Sequence, residues 1–469
     1  MTDANEIGAI DDMLATARLA QEAYEIKGSQ ALFDSACQAV AWVLMEPGRN
    51  KFLAEMAVAE TGLGNVGDKI QKNHNKTLGL MRDLKDVTSF GHVGDDPVNG
   101  LSSYLRPKGV IAAIVPSTNP LATPVNNIIN ALKTGNAIVL APSPKGVKPL
   151  TAMLAEIQKA LGRLGLPDGL VQMVSAPPSR AKTERLMKMA DLVVVTGSQN
   201  NVRAGYASGT PAIGVGAGNV VTIVDETANI ASAAEKIAAS KTFDNATSCS
   251  SENSLIALDA VYDEVIAALA EVGGLLLNKS QVERLEKLHW RDGKMVTTLL
   301  AQDIHKVLDK MGMLGDAPTD TRFLVAPQSE IGAEHPMTGE KMALFLSLHR
   351  ALDFDDALAK AVAIQKFQGA GHSLGLHSND EARAHRLAME AKTCRVIVNQ
   401  AHCFATGGFF NNGLPFSLTM GCGSWGGNSI DDNLNWQHFV NRVNVVRTVP
   451  ERRPELDDIF GDYWNRFGK

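Results

Sequence analysis

The sequence has no concentration of positive charge. Its 469 residues carry 45 lysines and arginines against 51 aspartates and glutamates, a formal net charge of -6, and no basic block interrupts them. Proteins that bind nucleic acid or anionic membrane surfaces usually present such a block. We therefore expect neither nucleic acid nor a membrane among the partners of this protein.

Cysteine is also scarce. The chain has five, with no CxxC motif and no close pair: Cys37, Cys249, Cys394, Cys403 and Cys422. An odd number at wide spacing argues against a disulfide framework and against structural zinc. Reduced thiols are typical of the cytoplasm, so we expect a cytoplasmic protein without a metal site.

Long apolar runs are missing as well. The longest, such as 110–115, are far shorter than a membrane-spanning helix, and the acidic start MTDANEIGAIDD does not have a leader pattern. The composition is that of a globular protein, with 45% hydrophobic and 20% charged residues. Because 469 residues exceed one hydrophobic core, we expect two or three domains in an unexported protein.

The first half of the chain predicts a parallel sheet. Helical patterns over 4–46 and near 52–60 come first, and short β-branched runs then alternate with helical windows. The runs are VIAAIV (110–115), NAIVL (136–140), LVQMV (170–174), DLVVVT (191–196) and VVTIV (220–224). Such strands are typical of a parallel sheet covered on both faces, and nucleotides bind at their carboxyl ends.

A second alternation follows residue 225 and predicts a second α/β domain. Its segments are a helix over 229–241, the strand 254–258, a long helical region over 259–312, strands 323–327 and 343–348, a helix over 354–368 and the strand 396–400. The NG turn within 95–107 predicts a hairpin, which we expect to pair with the tail strand 443–447.

Four segments could carry chemistry. Cys249 lies among small polar residues, where it is either an activated thiol or a buried structural cysteine. Asn119 follows a strand and is either a helix cap or an oxyanion donor. The run GVGAGN (214–219) precedes a strand, so it lacks the dinucleotide fingerprint and indicates instead a close backbone approach. Gly197 and Ser198 lie between a strand and a helix, where N–H groups can face a phosphate.

The order of these segments resembles the aldehyde dehydrogenase superfamily from about residue 50 to the tail, and within it the CoA-acylating branch most. The matching segments are VPSTNP (115–120), INALKTGNAIVLAPSPKG (129–146), VVTGS (194–198), GVGAGN (214–219), Cys249 and LTMGCGSWGGNS (418–429). The resemblance implies two Rossmann-like α/β domains with a bridging oligomerisation hairpin. The expected parts are a cofactor-binding domain (1–94 and 107–224), a catalytic domain (225–430) and a bridging element (95–106 and 431–469).

The resemblance also implies residue roles. Cys249 matches the nucleophile that attacks an aldehyde, and Asn119 matches the residue whose amide holds the developing oxyanion. Hydride then leaves for a nicotinamide and a thioester remains on the cysteine. His372 matches a histidine that could move a proton to or from the sulfur of CoA, the alternative being a hydrogen-bonded loop histidine.

The cofactor expected from the resemblance is NADP or NAD, with coenzyme A as cosubstrate. The residues that match its binding positions are Pro116, Ser117, Ser143, Lys145, Gly197, Ser198, Gly214, Gly216 and Glu340, the last as a ligand of the nicotinamide ribose. Pro144 replaces a glutamate that many NAD-using members carry, with Lys145 and Lys148 beside it, so we expect NADP to be tolerated. Alternatively, both lysines are solvated or meet the phosphates of CoA.

Gly214 stands where hydrolytic members carry the glutamate that activates water. Without that base the thioester can survive until a thiol arrives, so the pattern favours transfer to CoA over hydrolysis. Two alternatives stay open: a hydrolytic enzyme whose base is another carboxylate, such as Glu252, and a non-catalytic protein that retains the fold.

The substrate pocket is expected in the loop 399–417, where the resemblance points to His402, Thr406, Asn411 and Asn412. So many polar groups predict a small polar or anionic aldehyde. Overall resemblance to acylating family members that use sulfoacetaldehyde puts that aldehyde first, and succinate semialdehyde and simple C2–C4 aldehydes stay open as alternatives. Cys403 is either pocket lining or an oxidation partner of Cys249. The family's subunits pair through the bridging hairpin, so we expect a homodimer or homotetramer.

Overall fold

The structure is a computed structural model that describes residues 2–469, and it begins with four helices. They are α1 (Thr2–Ile26), α2 (Gln30–Met45), α3 (Pro47–Thr61) and α4 (Val66–Leu84). The helical pattern predicted over 4–46 is two helices, because Ser29 caps α2 by accepting a hydrogen bond from the Leu32 N–H at 3.2 Å. Sequence analysis missed α4, whose buried side carries polar residues such as Lys69, Lys72 and Asn73.

A hairpin and the chain's tail form a small separate sheet. Strands β1 (Gly91–Asp96) and β2 (Leu101–Pro107) are antiparallel. The hairpin therefore begins at Gly91 rather than at residue 95.

The first of the two large sheets has five parallel strands. They are β3 (Val110–Val115), β4 (Ala137–Pro142), β5 (Val171–Met173), β6 (Leu192–Val195) and β7 (Ala212–Gly214), and the helices between and after them are α5 (Ala122–Lys133), α6 (Val147–Gly162), α7 (Arg180–Met189) and α8 (Gln199–Ala207). The order is β5-β4-β3-β6-β7, so successive strands are added first on one side of β3 and then on the other, and the strand order reverses between β3 and β6. Ligands bind at such a reversal in open α/β sheets, outside the carboxyl ends of the strands.

The second sheet has seven parallel strands in the order β10-β13-β14-β9-β8-β15-β16. The strands are β8 (Val220–Val224), β9 (Glu252–Leu258), β10 (Gly274–Leu276), β13 (Phe323–Pro327), β14 (Phe345–Ala351), β15 (Leu374–His377) and β16 (Val396–Val398). A two-stranded hairpin, β11 (Trp290–Arg291) and β12 (Lys294–Met295), lies apart. The helices are α9 (Ile230–Thr242), α10 (Tyr262–Glu271), α11 (Lys279–His289), α12 (Ile304–Lys310), α13 (Phe354–Phe367), α14 (Glu381–Glu390) and α15 (His402–Ala405).

Three features of this half differ from prediction. Strand β8 pairs with β9 and β15, so the sheets change before Val220 and not at residue 225. An apolar run in the sequence does not reveal the sheet to which the strand belongs, because hydrogen-bonded pairing with neighbouring strands decides that. The predicted helical region 259–312 is three helices broken by β10 and by the β11–β12 hairpin. Strand β15 was not predicted, since GHSLGLHS is poor in β-branched residues.

The tail returns to the hairpin as predicted. Strand β17 (Val440–Val446) runs antiparallel to β2 and completes the order β1-β2-β17. A last helix, α16 (Leu456–Phe467), was missed because the prolines before it suggested irregular chain. Among the described residues, no helix has both the length and the apolar character needed to cross a bilayer.

Candidate active site

Cys249 follows an unusual turn. Three consecutive residues before it, Asp244, Asn245 and Ala246, have left-handed φ angles of 50°, 53° and 60°. Such a run is costly for residues with a Cβ, so surrounding contacts must hold it. Cys249 itself is half-buried, and Gly218 packs on it so closely that a Cβ there would lie 2.3 Å from the Cys249 carbonyl oxygen. The glycine run thus makes the close backbone approach that the sequence indicated.

The turn is held by a buried ion cluster that comes from α4. Oδ2 of Asp244 accepts hydrogen bonds from Nζ of Lys69 at 3.0 Å and from Nζ of Lys72 at 2.6 Å. Burial alone would raise the pKa of Asp244, but the two ammonium groups more than offset it and hold that pKa below its usual value. Two cations therefore share one carboxylate directly beneath the cysteine loop.

The same cluster orients Asn119. Nζ of Lys72 donates to Asn119 Oδ1 at 2.9 Å and to Thr247 Oγ1 at 3.0 Å, so with Asp244 all three of its protons are used. Because the amide oxygen of Asn119 is taken, its NH2 is the end left to donate to an oxyanion. The capping alternative fails, since the N-cap of α5 is Leu121 and has no side-chain cap.

The thiol lies in an environment that favours its neutral form. Burial raises the pKa of Cys249 to about 12, and the negative charge of Glu340 adds to the rise. Burial also raises the pKa of Glu340 to about 7, although Lys241 and Lys341 oppose it. Cys249 is therefore protonated at neutral pH, and Glu340 is the carboxyl group whose charge it feels most strongly. Sequence analysis had expected Glu340 only at the ribose.

Four of the expected nucleotide residues lie at one edge of the first sheet. Pro116 and Ser117 follow β3, while Gly197 and Ser198 follow β6, so the two pairs flank the reversal in strand order. Ser198 caps α8 by accepting a hydrogen bond from the Asn201 N–H at 3.3 Å. This edge offers N–H groups at the start of a helix, which suit a pyrophosphate.

The next loop on this edge also fits a nucleotide. Ser143 follows β4, and its buried Oγ has no hydrogen-bond partner within the described chain. An orphaned buried hydroxyl is costly unless a ligand pairs with it, so this atom suits a ribose or phosphate oxygen. Lys145 lies beside it and donates to the Thr61 carbonyl at 3.3 Å, while Lys148 pairs with Glu60 at 2.8 Å.

The position of the hydrolytic glutamate is closed by packing. A Cβ on Gly214 would lie 2.7 Å from Val202 Cγ1 and 3.0 Å from the Tyr206 ring. Gly216 packs in the same way on Cys422, with Sγ 2.9 Å from its ideal Cβ. A carboxylate at position 214 would therefore displace α8 before it could serve as a base.

Comparison with known proteins agrees with this geometry. A model of the aldehyde dehydrogenase family matches residues 54–283. A protein of Cupriavidus necator named sulfoacetaldehyde dehydrogenase (acylating) is 50% identical over 98% of this chain and 93% of its own length. The chain belongs to the aldehyde dehydrogenase family. Its predicted resemblance to the CoA-acylating branch is confirmed.

Further relatives of this aldehyde dehydrogenase include a succinate-semialdehyde dehydrogenase (acetylating) of Clostridium kluyveri, 35% identical over 97% of this chain and all of that protein. Among solved structures, an acetylating aldehyde dehydrogenase from Geobacillus thermoglucosidasius has a TM-score of 0.92 and 32% identity, covering 97% of this chain and 100% of its own. A propionaldehyde dehydrogenase from Rhodopseudomonas palustris, solved with bound CoA and an acylated cysteine, has a TM-score of 0.84 and 27% identity, covering 93% of this chain and 97% of its own.

The polar residues expected to line the aldehyde pocket differ in burial and in their partners. His402 is 1% exposed, and its ring pairs with Ser373 Oγ at 2.9 Å. Thr406 Oγ1 donates to the His402 carbonyl at 2.8 Å, and Asn411 is exposed at the surface. Because 402–405 form α15, their side chains follow its packing and not the linear order of the loop.

His372 is held within the same buried network. Its Nδ1 lies 2.7 Å from Ser373 Oγ, and burial lowers its pKa to about 3. The ring is therefore neutral at physiological pH. The structure shows the hydrogen-bonded loop histidine that was the alternative prediction for His372. Nε2 has no partner within the described chain, so proton transfer to the sulfur of CoA stays a prediction.

Sequence analysis missed the lysines of α4. Lys69, Lys72 and Lys76 recur at intervals of three and four, which places them on one helix face, but lysines at that spacing usually mark a solvated side. The available signal was that Asn73 and Thr77 share this face, which leaves α4 without an apolar stripe there.

Proposed function

We propose that this protein is a CoA-acylating sulfoacetaldehyde dehydrogenase. It converts sulfoacetaldehyde, CoA and NAD(P)+ to sulfoacetyl-CoA, NAD(P)H and a proton. The observation that carries the reaction type is that Lys72 binds both Asn119 and Thr247, two residues before Cys249, while Gly214 stands in place of the hydrolytic carboxylate. The name and 50% identity of the Cupriavidus necator relative support the choice of aldehyde.

The first half-reaction loads the cysteine. The thiol gives its proton to Glu340, and Sγ of Cys249 forms a bond to the carbonyl carbon while the C=O π electrons move onto oxygen. Asn119 NH2 and the Cys249 N–H donate to that oxyanion, which stabilises the tetrahedral adduct. The adduct collapses as its C–H electron pair leaves as hydride, which NAD(P)+ accepts when bound, and a thioester remains.

The second half-reaction transfers the acyl group. The thiolate of CoA attacks the thioester carbon, and the bond to Cys249 Sγ breaks with its electrons going to the protein sulfur. Hydrolysis is disfavoured because position 214 holds no base, and Glu252 lies fully buried in β9 with Lys241 donating to its carbonyl at 2.9 Å. A thiol needs less base assistance than water.

The nucleotide is NADP or NAD, bound at the carboxyl edge of the first sheet. We assign the turn after β6 to the pyrophosphate and Ser143 to a ribose or phosphate oxygen. Lys145 is the cation available to a 2′-phosphate, because Lys148 is already paired with Glu60. We therefore expect NADP to be used at least as well as NAD.

The assembly we propose is a homodimer or homotetramer formed through the bridging sheet and tail. Strand β17 exposes Val443 and Val446, and helix α16 exposes apolar residues such as Ile459 and Tyr463. Light scattering of the full chain tests this assembly, and a monomer at micromolar concentration would contradict it. Five free thiols fit a reducing compartment, so we propose the cytoplasm.

The deciding experiment measures NAD(P)H formation from sulfoacetaldehyde with and without CoA. We expect turnover only with CoA and no turnover in Cys249→Ala. A comparable rate without CoA would instead make the enzyme hydrolytic. Acetaldehyde used far better than sulfoacetaldehyde would overturn the substrate assignment while leaving the reaction type intact.

A further inference from the structure

Lys76 lies one helical turn beyond Lys72 and has a different set of partners. Its Nζ donates to the carbonyl oxygens of Gly407 at 2.8 Å and Gly408 at 2.9 Å. Both carbonyls belong to the loop 399–417, which precedes the glycine-rich segment 418–429. In the described chain Lys76 is half-buried and has no carboxylate within ion-pairing distance, so one of its three N–H groups is left for another acceptor.

The surroundings of Lys76 place it at the catalytic thiol. Lys76 lies one turn from Lys72 on the same face of α4, and Lys72 binds Thr247, two residues before Cys249. Burial lowers the pKa of Lys76 to about 8, the positive charge of Lys72 adds to that fall, and the negative charge of Asp83 opposes it. Nζ also lies 5.4 Å from the centre of the Phe416 ring. The ammonium is therefore charged at neutral pH in a wall made of an aromatic ring and carbonyl groups, where a single unmatched cation attracts anions strongly.

The other buried cations near the site are already matched. Lys69 and Lys72 share Asp244, and Arg395 donates to Asn433 and to three carbonyls. Lys241 lies beside two carboxyl groups, and burial lowers the pKa of Lys341 far below its usual value. Among these lysines only Lys76 combines a retained charge and an unused donor with the lack of an ion-paired carboxylate.

We propose that Lys76 binds the anionic end of the substrate, the sulfonate of sulfoacetaldehyde, while Cys249 receives its aldehyde carbon. This inference rests on the proposed function and adds the group that selects anionic aldehydes. The carbonyls of Gly407 and Gly408 fix the ammonium by two hydrogen bonds, and the third N–H donates to a sulfonate oxygen. Gly408 has a φ of 76°, a conformation suited to glycine, which lets consecutive carbonyls face one lysine.

The structure also explains why Lys72 cannot take this role. All three of its protons are committed to Asp244, Thr247 and Asn119. Two lysines on one face of α4 thus divide the work. Lys72 orients the amide that meets the carbonyl oxygen, and Lys76 meets the charge at the other end of a short substrate.

The test compares Lys76→Met with Lys76→Arg and with Lys85→Met, which removes an exposed charge just beyond the end of the same helix. For Lys76→Met we expect kcat/KM for sulfoacetaldehyde to fall about 30-fold or more, mostly through KM, because a charged hydrogen bond is lost. With propionaldehyde we expect a change below about threefold. Lys76→Arg should recover part of the loss, and Lys85→Met should behave as the unchanged enzyme.

A binding measurement separates recognition from chemistry. Ethanesulfonate, an unreactive probe, should compete with sulfoacetaldehyde in the unchanged enzyme, and its inhibition constant should rise by a similar factor in Lys76→Met. Equal losses with both aldehydes would assign Lys76 a structural role and overturn the inference. An unchanged KM for sulfoacetaldehyde would place the anion elsewhere. If the unchanged enzyme does not use sulfoacetaldehyde at all, it is the proposed function that fails.

Discussion

The nucleotide edge of the first sheet and the thiol pocket are built in opposite ways. The nucleotide edge uses hydroxyl and backbone groups from loops that follow successive parallel strands. The thiol pocket uses buried charges from α4 and from the turn before Cys249, segments more than 170 positions apart in the chain. One region follows from the topology of a single sheet, and the other exists only where distant segments meet.

This difference sets how each region responds to substitution. Breaking one member of a buried charge cluster leaves an uncompensated charge, which is far costlier than losing one contact at an open edge. We therefore expect changes in the thiol pocket to reduce kcat by large factors. Changes at the nucleotide edge should raise the KM for the cofactor by small factors.

The largest effect is expected for Gly218→Ala. Its new Cβ would lie 2.3 Å from the Cys249 carbonyl oxygen and 2.6 Å from the Cys249 Cβ, so the nucleophile must shift. A 1 Å displacement of a reacting group costs on the order of 100-fold in rate, and we expect at least that loss in kcat. NADP binding, measured by fluorescence titration, should change little.

Gly214→Ala is the control within the same glycine run. Its Cβ meets Val202 and not the cysteine loop, so we expect a lower melting temperature but near-normal turnover per folded enzyme. If both variants lost the same activity, the contrast between the two regions would be wrong.

The next effect separates two neighbouring lysines. Lys72→Met removes the hydrogen bond that orients Asn119, and the loss of an oxyanion donor costs about 100-fold or more in kcat. Lys69→Met breaks a similar pair with Asp244 and a hydrogen bond to the Thr118 carbonyl, but it leaves the hydrogen bond from Lys72 to the Asn119 side chain intact. Lys69→Met should lower the melting temperature about as much as Lys72→Met does, but it should keep most of kcat. Thermal melts of both variants measure the first effect, and pre-steady-state burst kinetics measure the second.

A third prediction concerns pH. With the pKa of Cys249 near 12, the thiolate fraction of the free enzyme rises about tenfold for each pH unit and does not level off near 9, as an ordinary thiol does. Iodoacetamide labelling of Cys249, followed by mass spectrometry from pH 7 to 10, should increase throughout. A plateau below pH 9 would mean that the thiol is already activated in the free enzyme.

The smallest effects belong to the nucleotide edge. Lys145→Ala should raise the KM for NADP several-fold and leave that for NAD unchanged, because only NADP carries the 2′-phosphate. Lys148→Ala should alter neither by more than about twofold, since exposed pairs such as that with Glu60 contribute little. Equal effects of the two changes would mean that the 2′-phosphate is bound elsewhere.

What could be predicted from the sequence follows the same division. Strands β3 to β6 and their loops were located within a few residues, because each is a local apolar run with turn residues after it. The short β7 was missed, and the fifth predicted strand, 220–224, is β8 of the other sheet. The role of α4 was missed, since its lysines lie on a polar face whose partner, Asp244, is distant in the chain. The burial of His402 and Thr406 could not be predicted for a related reason. The order of residues within 399–417 does not reveal which face of α15 packs against the protein interior.

Residues 215–219 connect β7, the last strand of the five-stranded sheet, to β8 of the seven-stranded sheet. Within this segment Gly218 packs against Cys249. Asn119 is carried by the first sheet and the nucleophile by the second. The oxyanion site that we propose for Asn119 and Cys249 therefore lies between the two sheets and is complete only while their domains stay packed together. Mild heat or denaturant that separates the two domains should therefore abolish activity while both hydrophobic cores remain folded. Catalytic activity should then report domain docking more sensitively than circular dichroism does.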